Sequence, residues 1–354
     1  MFDIDTSKPV LVTGATGFVA GWVVKGLLEA GCTVHAAVRD PSKADKVKHL
    51  DEIAANSAGE IKYFAADLLN DGSYDDAIAG CGVVFHTASP FTIDVEDPQK
   101  ELVDPAVNGT INVLHAVNKT DSVERVVLTS SCAAIYGDNA DVAKAPNGRL
   151  DESVWNTSSS LSHNAYSFSK TEAEKAAWDI AKSQDRWKLV VVNPSLVAGP
   201  ALQDRPTSES FSMVKQMGDG TMRMGAPRWA FGVIDVRDLA NAHIAAGFHP
   251  DANGRNIISA HETDVYAMSQ ELKHKYAKYP LPRGAVPKWM AWLMAPMLGG
   301  GMTRALVARN FNIPWRADNT KAKRELGLSY RPLRTTMEDM FEQMLDAGML
   351  ERKL

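Results

Sequence analysis

Cysteine is scarce in this sequence. Cys32, Cys81 and Cys132 are the three among 354 residues. They are far apart and odd in number, so neither a disulfide framework nor a metal-ligand spacing follows, and a reducing compartment is implied. Basic charge is not in surplus either. Lys and Arg number 38 against 43 Asp and Glu, a net charge of −5, where a nucleic-acid binder would carry a basic excess. No metal site is expected. The N-terminus, Met-Phe-Asp-Ile-Asp, has neither the basic start nor the apolar run of a signal peptide, so a cytoplasmic protein is expected. No internal repeat or low-complexity stretch is present. No apolar run reaches the ~20 residues of a membrane-spanning helix. The nearest candidate, residues 286–298, is rich in Trp and Met and is interrupted by Pro296. It reads as a helix packed on a small domain or a lid over an apolar ligand, with attachment to a membrane surface as the other reading.

What is present is enough for a sizeable core: 45% of the chain is hydrophobic. The length suggests two domains, or one large domain with an appendage. The organising stretch is Val10-Leu-Val-Thr-Gly14-Ala-Thr-Gly17-Phe-Val-Ala20. A short buried strand runs into a glycine-rich turn and then a helix. Gly14 and Gly17 let the backbone turn tightly, so that its amides can approach a pyrophosphate. The helix that follows points its positive end at that phosphate. Thr13, Gly14, Thr16, Gly17, Phe18 and Val19 are therefore candidate dinucleotide contacts. Ala20 stands where a third glycine would permit close helix–strand packing.

Strands and helices then alternate. Strands are expected at Thr33–Val38, Glu60–Ala65, 82–87, Arg125–Thr129 and 188–192, with helices at 43–55, 99–117 and Ala165–Lys182. Runs such as Arg-Val-Val-Leu-Thr are buried on both faces. The pattern is a Rossmann-type, doubly wound α/β fold with helices on both sides of a parallel sheet. Residues 195–232 read as loop-rich, 231–246 as a short strand and a returning helix, 256–259 as a last strand, and 333–345 as a terminal amphipathic helix. A dinucleotide-binding domain is expected over 1–194 and about 233–262, and a smaller substrate-binding domain over about 195–232 and 263–354.

The second strand ends in Val38-Arg39-Asp40-Pro41. An acidic residue there takes the ribose hydroxyls of NAD, whereas an arginine accommodates a 2′-phosphate. Arg39, with Lys43 and Lys46 nearby, points to NADP(H). The bland alternative leaves Arg39 in solvent and gives the ribose to Asp40. Asp67 and Leu68 follow the third strand, where an adenine would lie; Asp67 serves equally well as a turn residue.

Tyr166 and Lys170 share a helical face. A nearby ammonium, together with the positive nicotinamide ring, lowers a phenol's pKa from ~10, which suits a general acid for a carbonyl oxygen. Thr129, Ser130 and Ser131 end a strand at the same edge, where a serine can hydrogen-bond the substrate oxygen. Asn108 is a candidate to hold a water or a backbone group behind Lys170.

Together, Thr13-Gly-Ala-Thr-Gly-Phe-Val-Ala20, Val38-Arg-Asp-Pro41, Phe85-His-Thr-Ala-Ser-Pro90, Leu128-Thr-Ser-Ser131, Tyr166-x-x-x-Lys170, Asn193-Pro194 and Asp235-Val-Arg-Asp-Leu-Ala240 resemble the extended short-chain dehydrogenase/reductases. Within them the chain is similar to dihydroflavonol 4-reductases, cinnamoyl-CoA reductases and NADPH-dependent aldehyde and ketone reductases. The resemblance implies a Ser131–Tyr166–Lys170 set. It places Thr87, Ala88 and Ser89 along the cofactor, Pro194, Ser195 and Val197 near the nicotinamide, and Arg39 on the 2′-phosphate. It implies a small carbonyl substrate and allows a homodimer. Two departures narrow the substrate. Asn164-Ala-Tyr-Ser-Phe-Ser-Lys170 replaces the Asn-Trp-Tyr-Cys-Tyr-x-Lys of cinnamoyl-CoA reductases. Ala133, Ala134 and Ile135 stand where plant dihydroflavonol reductases usually carry an asparagine. Ser89, Phe91, Ser131, Tyr136 and Tyr166 are substrate-binding candidates, with Phe168, Phe211, Trp289 and Trp292 as further pocket candidates. The expected activity is NADPH-dependent reduction of an aldehyde or ketone. The other readings are a nucleotide-sugar epimerase or dehydratase, a hydroxysteroid dehydrogenase, and a non-catalytic NADP(H)-sensing module.

Overall fold

Valine-rich runs make the centre of the molecule, because β-branched side chains fit a pleated surface covered on both faces. The computed structural model describes residues 2–89, 95–203, 206, 208–297 and 302–353. The first half runs β1 (Val10–Thr13), α1 (Phe18–Glu29), β2 (Thr33–Val38), α2 (Ala44–Ala55), β3 (Glu60–Ala65), α3 (Asp75–Ile78), β4 (Val83–His86), α4 (Asp104–Lys119), β5 (Arg125–Thr129), α5 (Ala165–Lys182) and β6 (Lys188–Pro194). A turn of π-helix, Gln99–Val103, leads into α4, so the helix expected over 99–117 comes in two parts.

The second half runs β7 (Leu196–Ala198), α6 (Glu209–Gly218), β8 (Ala226–Pro227), β9 (Ala230–Asp235), α7 (Val236–Phe248), β10 (Gly254–Ile258), β11 (His261–Asp264), α8 (Val265–Glu271), α9 (Lys273–Tyr276), β12 (Ala285–Val286), α10 (Lys288–Met294), α11 (Arg304–Asn310), α12 (Thr320–Glu325) and α13 (Leu333–Asp346). The stretch 195–232 thus holds two strands and a helix where mostly loop was expected. Its turn residues masked segments too short to show a period.

The main sheet has the order β10-β6-β5-β4-β1-β2-β3, and every neighbouring pair is parallel. Alternate residues feed opposite cores, as the two-residue period of a strand requires. Val10 and Val12 face α1 and α7, while Leu11 faces α4. Close packing of α1 on α7 depends on Gly26, where a Cβ would stand 2.5 Å from Ile244 Cδ1. The strand order reverses between β1 and β4, which opens a crevice at their carboxyl ends.

β11, β9 and β7 form a second sheet, so the strand expected near 231 pairs there and not with the main sheet. Its core draws Phe211, Met217, Met268, Met340 and Phe341 from α6, α8 and α13. This half grips the glycine-rich turn. Phe18 meets Phe211 edge-on, the Trp22 indole donates to Pro200 O (2.9 Å), and Gln203 Nε2 donates to Thr16 O.

Candidate active site

The turn after β1 has the shape a diphosphate needs. Gly14 has φ +62°, and a Cβ there would press on Ala88 at 3.1 Å. A Cβ on Gly17 would stand 3.1 Å from Gly14 O. Among the described residues no side chain caps α1, which leaves its first amides at the positive end of the helix for a ligand. Thr13 plays another part than contact. It is fully buried, and its hydroxyl accepts from Thr87 N and Ala88 N (3.1 and 3.0 Å) and meets His86 Nδ1 at 3.0 Å. Thr13 therefore holds the 86–89 loop against the turn. Phe18 and Val19 are half-buried.

At the end of β2, Arg39 is exposed and among the described residues makes no ion pair. The Asp40 carboxylate is already taken by Ser42 N and Oγ (3.0 and 2.6 Å), which hold it below the usual carboxylate range. This geometry favours a phosphate at Arg39 over ribose hydroxyls at Asp40. Lys46 is exposed on α2. Asp67 is exposed, and its Oδ1 accepts from Leu69 N, the geometry of a turn residue. Leu68 packs under Gly109.

Ser131, Tyr166 and Lys170 converge at the carboxyl edge of β5. The Ser131 hydroxyl hydrogen-bonds the Tyr166 phenol and also accepts from Ala133 N (3.1 Å). Lys170 Nζ lies 5.8 Å from the Tyr166 ring centre and donates to Ser89 Oγ at 2.8 Å. Packing around the hydroxyl pushes Tyr166 up to about 12, with Ser131 drawing it back. Burial pushes Lys170 down to about 8.

Behind Lys170 lies a cavity of about 20 Å³, lined by His86, Ser89, Thr110, Ser130 and Glu174 among others, room for one water. Burial and the Lys170 charge push His86 down to about 3. Asn108 does not reach this cavity. It is exposed on α4, and Ala106 and Thr110, on the other side of the helix, line the wall. Two residues along a helix is a rotation of about 200°.

Tyr136 is half-buried, 5.9 Å from the Trp315 ring in a cluster with Cys132 and Ile135. Ser195 N donates to Ile258 O (3.1 Å), so Pro194 and Ser195 sit where β6 meets β10, and Val197 lies in β7. Thr129 Oγ1 meets His243 Nε2 at 2.7 Å. Phe168 is half-buried on α5. Phe211 is 1% exposed and belongs to the second core, while Trp289 and Trp292 face solvent. Phe91 lies outside the described residues.

One group was missed from sequence. Glu174, 1% exposed, accepts from Ser130 Oγ, Asn193 Nδ2 (2.8 Å), Arg255 Nε (2.6 Å) and Trp178 Nε1 (3.2 Å). Arg255 also donates to Ala134 O and Val154 O, and its guanidinium lies 4.0 Å over Trp155. The network ties the serine loop to the helix carrying Tyr166 and Lys170. Ser130 faces this network and Ser131 faces the tyrosine. An arginine inside the strand Gly254-Arg-Asn-Ile-Ile was the available signal, since a strand buried on both faces tolerates it only when paired.

Comparison with known proteins extends the picture. The model of the NAD dependent epimerase/dehydratase family matches residues 10–259. Cinnamoyl-CoA reductase CAD2 of Medicago truncatula is 36% identical over 342 residues, 95% of each chain. The bifunctional dihydroflavonol 4-reductase/flavanone 4-reductase of Malus domestica is 35% identical over 287 residues, 78% of each chain. The structure of yeast methylglyoxal/isovaleraldehyde reductase Gre2 complexed with NADPH superposes with a TM-score of 0.73 at 28% identity, covering 96% of this chain and 99% of that one. This chain belongs to the NAD dependent epimerase/dehydratase family, on the branch of its cinnamoyl-CoA, dihydroflavonol and aldehyde reductases.

Proposed function

We propose that this chain reduces a free aldehyde or ketone to the alcohol with NADPH, with Tyr166 as the proton donor. The observation that carries the reading is the convergence of Ser131, Tyr166 and Lys170 beside a glycine turn that leaves no room for a Cβ. The amides at Gly14–Gly17 and the start of α1 hold the diphosphate, and Arg39 with Lys46 holds the 2′-phosphate. NADPH, when bound, supplies the hydride.

Tyr166 gives its proton to the carbonyl oxygen. Ser131 orients that oxygen by hydrogen bond. Lys170 reaches the ribose from its place beside Ser89, and its charge steadies the phenolate left behind. Residues of about 195–232 and 263–354 form the substrate-binding domain over this edge. The Asn164–Lys170 motif favours a free carbonyl over a CoA thioester. An Arg39 free of carboxylates argues against a nucleotide-sugar enzyme with resident NAD.

The test is Tyr166→Phe, assayed on a panel of aldehydes, diketones, keto esters and CoA thioesters with NADPH and NADH. Turnover is expected to fall ~10²–10⁴-fold with NADPH affinity retained. Wild-type turnover by the folded variant would refute the proposal.

A further inference from the structure

Charge is unevenly distributed along this chain. Residues 272–317 hold eight of its 38 Lys and Arg and none of its 43 Asp and Glu. In the middle of that arm, α10 buries Ala291 and, just past its end, Ala295 against Val307 of α11 and Phe311 just after it. The large apolar side chains of α10 are uncovered. Trp289 is 67% exposed, Leu293 56% and Trp292 42%, with Met297 at 84% just beyond. The other large exposed apolar side chains among the described residues, such as Leu69 and Met224, are scattered; this group is contiguous, and a patch of that kind marks an interaction site.

Cations of the same arm accompany it. The Arg304 guanidinium lies 4.6 Å over the Trp292 ring, and Lys288 begins α10. Lys273, Lys278 and Arg283 share a cleft of about 530 Å³ with Arg223 and Lys353, and among the described residues no carboxylate side chain lines it. Lys275 is neutralised locally by Glu342, and Arg309 faces Asp138.

Tryptophan and long apolar side chains beside unpaired cations suit the boundary between headgroups and acyl chains. The composition also decides between occupants. A two-fold contact with a second copy would set the same cations against each other, because such an interface is self-complementary. An anionic surface meets them with opposite charge, and the acidic remainder of the molecule is repelled from it, which leaves one orientation. Among the described residues no helix is long and apolar enough to cross a membrane, so the contact is peripheral.

We propose that the exposed face of α10, with the described cations of its arm, docks this protein on an anionic lipid surface. Trp289, Trp292, Leu293 and Met297 enter the boundary layer, and the arm's cations meet lipid phosphates. The proposal is independent of the reductase reading.

The test is flotation of the full chain with phosphatidylcholine vesicles, with and without phosphatidylserine. Binding is expected only with phosphatidylserine, with a blue-shifted tryptophan emission and release at high salt. Trp289→Ser with Leu293→Ser is expected to abolish it while leaving the thermal midpoint in place, since both side chains are exposed. Arg304→Glu or Lys278→Glu is expected to weaken partitioning at least fivefold. Absence of binding to either vesicle, equal binding to both, or undiminished binding by the double variant would overturn the proposal. So would a wild-type dimer that the double variant turns into a monomer, which would assign the face to a second copy.

Discussion

Lys170 carries two opposing demands. The proposed mechanism needs its charge beside Tyr166 and Ser89, while burial pushes its pKa down to about 8 from its ordinary 10.5. Between those values the unfolded chain holds a proton that the folded chain has released, so stability rises with pH there, and below about 8 the whole cost is present. Lys170→Met is therefore expected to raise the ligand-free urea midpoint at pH 7, by up to about 3 kcal/mol, while abolishing turnover. The gap to wild type closes as pH rises from 8 to 10. A variant no more stable than wild type at pH 7 contradicts the assigned burial. Arg39 is a second residue-scale case. With no carboxylate on it, Arg39→Ser is expected to weaken NADPH roughly ten- to hundredfold and leave NADH nearly unchanged, as read by cofactor fluorescence titration.

At the scale of elements, α5 is held by more than its apolar face. Glu174 anchors it to β5, β6 and β10 through Ser130, Asn193 and Arg255. Glu174→Ala leaves the Arg255 guanidinium buried without its partner and is expected to cost ~3–5 kcal/mol. Glu174→Met combined with Arg255→Met removes both charges and is expected to recover most of that stability. Turnover should stay low in the double variant, because the serine loop and α5 are no longer tied, while NADPH affinity holds. Comparing kcat with cofactor affinity in the two variants separates positioning from folding. Such a network is hard to read from sequence, since an acid in a helical run usually faces water. The Tyr166–Lys170 spacing was legible because one helical turn sets it regardless of what packs outside.

At the scale of the whole molecule, His86 and His243 lie buried against threonine hydroxyls. Burial pushes His86 down to about 3 and His243 to about 4, and Thr13 and Thr129 hold their rings. Below the ordinary histidine range of ~6.5 the unfolded chain takes up protons that the folded one refuses, so stability falls as pH drops towards 4. The urea midpoint of wild type is expected to fall steeply over that interval, and His243→Gln to flatten the slope; an unchanged slope would count against its neutral burial. The three cysteines are 4% exposed or less and are expected to resist thiol reagents until the protein unfolds.

The order of strands and helices through residue 194, the nucleotide turn, and the tyrosine–lysine pair were set by the sequence alone. Each rests on a short-range period, two residues for a strand and nearly four for a helix, that no distant contact changes. The tertiary structure decided what depends on partners far along the chain. It turned Asn108 outward and Thr110 inward, gave Ser130 to Glu174 and Ser131 to Tyr166, and placed β9 in a second sheet. Those outcomes depend on which surfaces meet, and that is settled only when elements separated by tens of residues pack and each buried polar group finds its partner.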